Sequence, residues 1–132
     1  MFKSLGFIVF IAGLSGCMMD NSSSTKLASP TGKYYIFTTV NRKDKAKKDY
    51  AFVVIHLFDS SGQLKSSLNT GAGDASKWAV GWYGQKDTVI LYSAVIDNKA
   101  WVVEKDTLKP VELNRDLNKR ADELMNIKYN SR

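Results

Sequence analysis

The sequence predicts an α+β fold that is mainly β: a single antiparallel meander sheet of about five to seven strands, covered by a C-terminal amphipathic helix. Three observations predict it. Between Tyr34 and Leu113 the apolar residues fall in short β-branched and aromatic runs divided by Gly, Asp, Asn and Ser. The runs follow one another too closely for parallel crossovers, which need a dozen or more residues, so neighbouring strands are expected to be antiparallel. From Asn114 the apolar period lengthens from that of a strand to that of a helix.

Pro30 to Tyr129 is expected to form one globular domain, because two would leave neither with a core. Ser29-Pro30-Thr31-Gly32-Lys33 has turn chemistry, and Tyr34 to Val40, YYIFTTV, follows as a strand. Asn41 to Asp49 is a charged loop. Tyr50 to Asp59, YAFVVIHLFD, is the strongest strand signal. Both of its faces are apolar, which predicts a central strand covered above and below. Ser60-Ser61-Gly62 turns the chain into a short strand over Gln63 to Ser67. Asn69 to Ser76 has the small residues of a loop. Trp78 to Tyr83 and Thr88 to Ser93 pair across Gly84-Gln85-Lys86-Asp87, with Ala94 to Ile96 extending the second strand or standing alone. Ala100 to Glu104 adds a strand, and Leu108 to Leu113 a short edge strand, where Pro110 removes a ladder donor. Asn114 caps a helix running to Tyr129. Leu117, Ala121, Leu124 and Lys128 share one stripe, with Leu113 and Met125 beside it, and a packed cover is expected over a membrane-lying helix because the charges are mixed and the stripe narrow.

The N-terminus has a different chemistry. Lys3 precedes an apolar run from Leu5 to Leu14, then Ser15, Gly16 and the only cysteine, Cys17. A basic start, a short apolar stretch and small residues describe a signal peptide over residues 1–16, too short to span a bilayer. Leu14-Ser15-Gly16-Cys17 resembles the lipobox of bacterial lipoproteins. That resemblance implies cleavage before Cys17, diacylglycerol on its sulfur and acylation of its new amine. Several acyl chains hold a protein to a membrane stably, where one holds it only reversibly. Met18 and Met19 follow the cysteine in place of Asp, which by the same resemblance implies export to the outer membrane, facing the periplasm, in a Gram-negative host, and the outer face of the plasma membrane in a Gram-positive one. Residues 17–29 are then a lipidated, flexible tether rich in Ser and Asn.

A second resemblance covers short pieces only. Ser29-Pro30-Thr31-Gly32-Lys33-Tyr34 and the strand-turn-strand of Trp78 to Ser93 resemble TolB-type propeller blades. This implies hairpin pairing, but the domain has the length of only one or two blades, and a propeller needs at least about four.

The net charge of +6 falls to +5 once Lys3 is removed, basic but mixed. Nucleic acid is not an expected partner of an exported protein, whereas anionic lipid, lipopolysaccharide or an acidic protein is. With Cys17 acylated no disulfide can form, so the core alone must hold the domain. No metal or other cofactor is expected: His56 is the only histidine, and there is no second cysteine for a zinc site. His56 sits mid-strand and reads as a hydrogen-bonded structural residue, since a catalytic dyad needs a nucleophile in reach. Gly71-Ala72-Gly73-Asp74 is glycine-rich but lacks the Lys-Ser/Thr of a phosphate-binding loop, so it reads as a turn.

Two candidate contact sets remain. Trp78 and Trp82 share a strand face and either belong to the core or form a platform for sugar rings, with Trp101 joining from a neighbouring strand. Ala79 and Gly81 lie opposite, where something must approach closely. Arg42, Lys43, Lys45, Lys47 and Lys48 cluster in one loop, as an aggregation-blocking edge or as a contact for acidic lipid or protein. The expectation is a non-enzymatic, membrane-anchored envelope lipoprotein that binds a protein partner, an immunity or inhibitor protein being one form. A glycan- or lipid-binding module and an outer-membrane assembly accessory are the alternatives.

Overall fold

A computed structural model describes residues 26–130. The signal peptide, Cys17 and the tether up to residue 25 lie outside the described residues. The strands are β1 (Leu27–Ala28), β2 (Tyr34–Val40), β3 (Phe52–Asp59), β4 (Leu64–Gly73), β5 (Trp78–Tyr83), β6 (Thr88–Ser93), β7 (Lys99–Glu104) and β8 (Thr107–Val111). Among the described residues one helix, α1, spans Arg115–Asn130. Every strand pair is antiparallel, as the short connections require.

The meander does not form one sheet. It breaks between β4 and β5 into two four-stranded sheets, β1-β2-β3-β4 and β5-β6-β7-β8. The break follows from burial. Strand β5 carries Trp78 and Trp82 on one face and Ala79 and Gly81 on the other, and all four are buried. A strand with two dry faces needs a layer on each side. The first sheet supplies one: Ile36, Val40, Val53, Ile55, Leu57 and Ala72 pack against Trp78, Trp82, Val89, Leu91, Trp101 and Leu108. Helix α1 supplies the other, setting Leu117, Ala121 and Leu124 against Ala79, Ile90 and Ala100. The result is three layers, sheet on sheet on helix.

The doubly covered strands are therefore β5, β6 and the start of β7, not the run at Tyr50–Asp59. In β3, Val53, Ile55 and Leu57 are fully buried inward, while Phe52, Val54, His56 and Phe58 are half-buried on the outer face. There Phe58 stacks on Tyr35, with ring centroids 5.0 Å apart. These outward residues belong to neither core, so their apolar character does not signal cover. The strand also starts two residues later than expected. Ala51 adopts φ +66° and donates its N–H to Asn41 O, closing the preceding loop.

Two further boundaries differ. The stretch expected to loop from Asn69 continues β4 as far as Gly73. It is irregular: Gly71 has φ +84°, and the pairing register with β3 shifts between Phe52 and Val54. The Thr70 hydroxyl donates to Val53 O (2.8 Å) and accepts from Ala72 N (3.0 Å), so a side chain replaces ladder bonds there. At the other end, Leu27 and Ala28 are not tether but a strand, paired with Ile36 and Tyr35.

Polar links tie the sheets together without a disulfide. The buried Asp87 accepts from Thr31 N (3.2 Å) and Thr31 Oγ1 (2.5 Å). Tyr34 donates to Asp106 (2.7 Å), and Trp82 Nε1 to Leu27 O (2.8 Å). The helix begins as its sequence implies, with Asn114 Oδ1 accepting from Leu117 N at 2.9 Å.

The close approach expected at Gly81 is made by Leu124, whose Cδ2 lies 2.5 Å from where a Cβ at Gly81 would stand. Gly81→Ala should therefore displace Leu124 and destabilise the fold by about 1–3 kcal/mol in urea unfolding. Leu124→Ala opens that space, so Gly81→Ala should cost clearly less in the Leu124→Ala background than alone. Equal costs in both backgrounds would contradict the contact.

Candidate functional site

Strand β5 ends the second sheet, so one of its sides has no strand partner among the described residues. Such an edge carries free backbone donors and acceptors. Here α1 answers them with side chains from Arg120 to Tyr129. The Tyr129 hydroxyl accepts from Trp78 N (3.1 Å) and donates to Trp78 O (3.0 Å). Lys128 Nζ donates to the same carbonyl at 2.7 Å, and Arg120 Nε donates to Trp82 O at 3.1 Å. The helix can reach because its contact with β5 lies at Gly81 and Ala79, which bring the two backbones close.

A groove of about 860 Å³ opens along this edge. Its floor is β5, one wall is β1 with Lys26, and the other is α1 from Arg120 to Tyr129. The size falls within the usual range of ligand sites. Leu27, Ala28, Val80, Leu124 and Ile127 supply apolar lining, and Ile127 is 57% exposed.

The charge in the groove is one-sided. Lys26, Arg42, Arg120 and Lys128 line it, against one carboxylate, Asp74. Asp74 is already engaged: Arg42 pairs with it at 2.6 Å, and Trp78 Nε1 donates to it at 2.8 Å. Arg120 also pairs with Glu123 at 3.2 Å. Among the described residues no carboxylate pairs with Lys128. Its ammonium lies 3.3 Å from the centroid of the Trp78 ring and against the Trp78 carbonyl. Taken as a whole residue Lys128 is exposed, but the surroundings of its ammonium set its protonation. Desolvation there lowers its pKa from 10.5 to about 8, and the nearby Asp74 charge opposes the shift only in part.

The residues singled out from the sequence divide. Arg42 joins the groove. Lys43, Lys45, Lys47 and Lys48 are exposed on the loop before β3 and do not line it. Trp78 and Trp82 are 6% and 7% exposed, with both indole N–H groups bonded. They are core rings that reach the groove, not an open platform, and Lys128 covers one face of Trp78. Trp101 is buried in the same core. His56 is half-buried on the outer face of the first sheet, each ring nitrogen 2.8 Å from a hydroxyl, those of Thr39 and Ser67. Burial lowers its pKa. Gly71 to Gly73 belong to β4, and Asp74 follows as the engaged carboxylate of the groove. Cys17 lies outside the described residues. Among the described residues no group of three or more His, Cys, Asp or Glu is placed to hold a metal ion.

Sequence reasoning did not select Lys26, Arg120, Lys128 or Tyr129. One signal was present: Lys128 falls on the apolar stripe of the helix, where a cation needs a reason.

The Lys128 shift has a definite pH signature. Below pH 8 the ammonium is charged in the folded and unfolded chains alike. Between 8 and 10.5 the unfolded chain keeps a proton that the folded chain has released, so stability gains with rising pH. In urea unfolding, the stability of the wild type relative to Lys128→Gln should rise across that window and be flat below it. A flat difference throughout would contradict the site.

No family model, curated protein or solved structure matches the chain.

Proposed function

We propose that this protein is a lipoprotein of the bacterial envelope, acylated on Cys17, that works by binding rather than by catalysis. The observation that carries the binding role is the groove along β5, where apolar walls meet four cations and a single, already engaged carboxylate. An opening of that composition attracts an anionic partner and offers it apolar contact. The anchor rests on Leu14-Ser15-Gly16-Cys17, and Met18-Met19 supports the outer membrane, facing the periplasm. The groove begins at Lys26, where the chain arrives from the anchor, which keeps the site near the membrane.

One further observation favours a second, protein-binding surface. Lys43, Lys45, Lys47 and Lys48 are all exposed on one loop, and none pairs with a carboxylate among the described residues. An acidic protein would be the partner there, and an immunity or inhibitor role is one form of it.

Mass spectrometry of the protein isolated from membranes should find an N-terminus at Cys17 carrying acyl chains. Cys17→Ser should remove that modification and move the protein out of the salt-washed membrane fraction. An unacylated wild-type N-terminus, or unchanged membrane retention of the variant, would refute the anchor. For the loop, reversing Lys45, Lys47 and Lys48 to Glu should abolish capture of an acidic partner from membranes. Unchanged capture would remove the second surface.

A further inference from the structure

We propose that the groove along β5 holds one anionic lipid from the membrane that anchors the protein, its phosphate at Lys128 and Arg120 and an acyl chain along the apolar wall. This deepens the binding role and rests on the anchor for the source of the lipid.

The chemistry follows by asking what each class of ligand would find. A small inorganic anion would meet the cations but leave the exposed Ile127 and the neighbouring Leu27, Ala28 and Val80 in water. A glycan stacks on open aromatic faces, and both tryptophans here are buried with their N–H groups bonded. An extended peptide would add to β5 through its outward backbone groups. At Trp78 those groups are already bonded to Tyr129 and Lys128, and at Trp82 the carbonyl is bonded to Arg120. An anion joined to a hydrocarbon chain uses both halves of the lining.

Charge fixes where the head group belongs. Among the described residues the partners in contact with the Lys128 ammonium are neutral: a carbonyl at 2.7 Å, an indole face at 3.3 Å and the Tyr129 ring at 5.1 Å. A phosphate oxygen would give its ammonium a charge-assisted hydrogen bond. Arg120, on the same helix face two turns earlier, keeps its Nε on Trp82 O and pairs through Nη1 with the exposed Glu123. A phosphate can compete for the guanidinium at that exposed pair, since such pairs contribute little.

Position supplies the lipid. Eight residues, Met18 to Thr25, separate Cys17 from Lys26, where the groove starts. That connection spans at most about 32 Å even when fully extended. The groove therefore lies within that distance of a surface dense in phosphate head groups, and tethering raises their effective concentration at its mouth.

The test uses the intact acylated protein in purified lipid nanodiscs. Phosphatidylglycerol brominated on its acyl chain should quench tryptophan emission, because Trp78 and Trp82 line the groove. Phosphatidylcholine with the same bromination, at the same fraction, should not. Lys128→Gln should weaken the quenching about tenfold at limiting lipid, the loss of one charge-assisted bond. Excess inorganic phosphate should leave most of the quenching in place. Equal quenching by the two lipids, no quenching by either, no effect of Lys128→Gln, or full reversal by inorganic phosphate would each overturn the proposal. If the protein fails to remain with the discs, the anchor has failed rather than the groove. The soluble protein is then titrated with short-chain brominated phosphatidic acid, where saturable quenching supports the groove's preference and its absence overturns it.

Discussion

Leu124 occupies the space that any side chain at Gly81 would need, and this contact organises the rest of the molecule. It seats α1 directly on the edge strand of the second sheet. Ala121 and Leu117 follow along the same stripe onto Ile90 and Ala100, so the outer face of that sheet is closed. Its inner face is closed by the first sheet through three tryptophans and a set of fully buried aliphatic residues. A side chain at Gly81 would force Leu124 to move from its seat on β5.

The same seating makes the site. Once Leu124 is placed, the helix turns on either side carry Arg120, Lys128 and Tyr129 past the rim of β5, within reach of the Trp78 and Trp82 backbone. An edge that would otherwise invite pairing with another chain is blocked by cations. The blocking residues give the groove its charge, so protection of the edge and attraction for anions come from one arrangement. The cost falls on Lys128, whose ammonium is partly stripped of water and whose proton is held less tightly.

Much of this architecture was legible in the residues. Asn114 announced the helix start, the stripe of Leu117, Ala121 and Leu124 gave its buried face, and the small Ala79 and Gly81 announced a close neighbour. The division into two sheets was not legible, because a meander and two stacked hairpin ladders share every local pairing except the missing one between β4 and β5. The irregular end of β4 read as a loop because Thr70 and Gly71 replace regular ladder geometry with a side-chain bond and a left-handed glycine. The outer face of β3 shows the opposite failure: Phe52, Val54 and Phe58 are apolar yet only half-buried. The groove was hidden for another reason. Lys26, Arg42, Asp74, Arg120 and Lys128 come from separate parts of the chain and meet only after both sheets and the helix have packed. The lipobox resemblance, by contrast, is a local pattern and needed no fold to be seen.

The central claim is that helix register on β5 sets the Lys128 ammonium over the Trp78 ring, and proton NMR reads that placement directly. An ammonium 3.3 Å from the ring centroid puts the adjoining ε-methylene in the shielding cone of the indole. Those protons should resonate well upfield of their random-coil position at neutral pH, and should return to it in Trp78→Leu while the protein stays folded. Random-coil shifts in the folded wild type would show that the helix does not deliver its cations to the edge, and the groove as described would not exist.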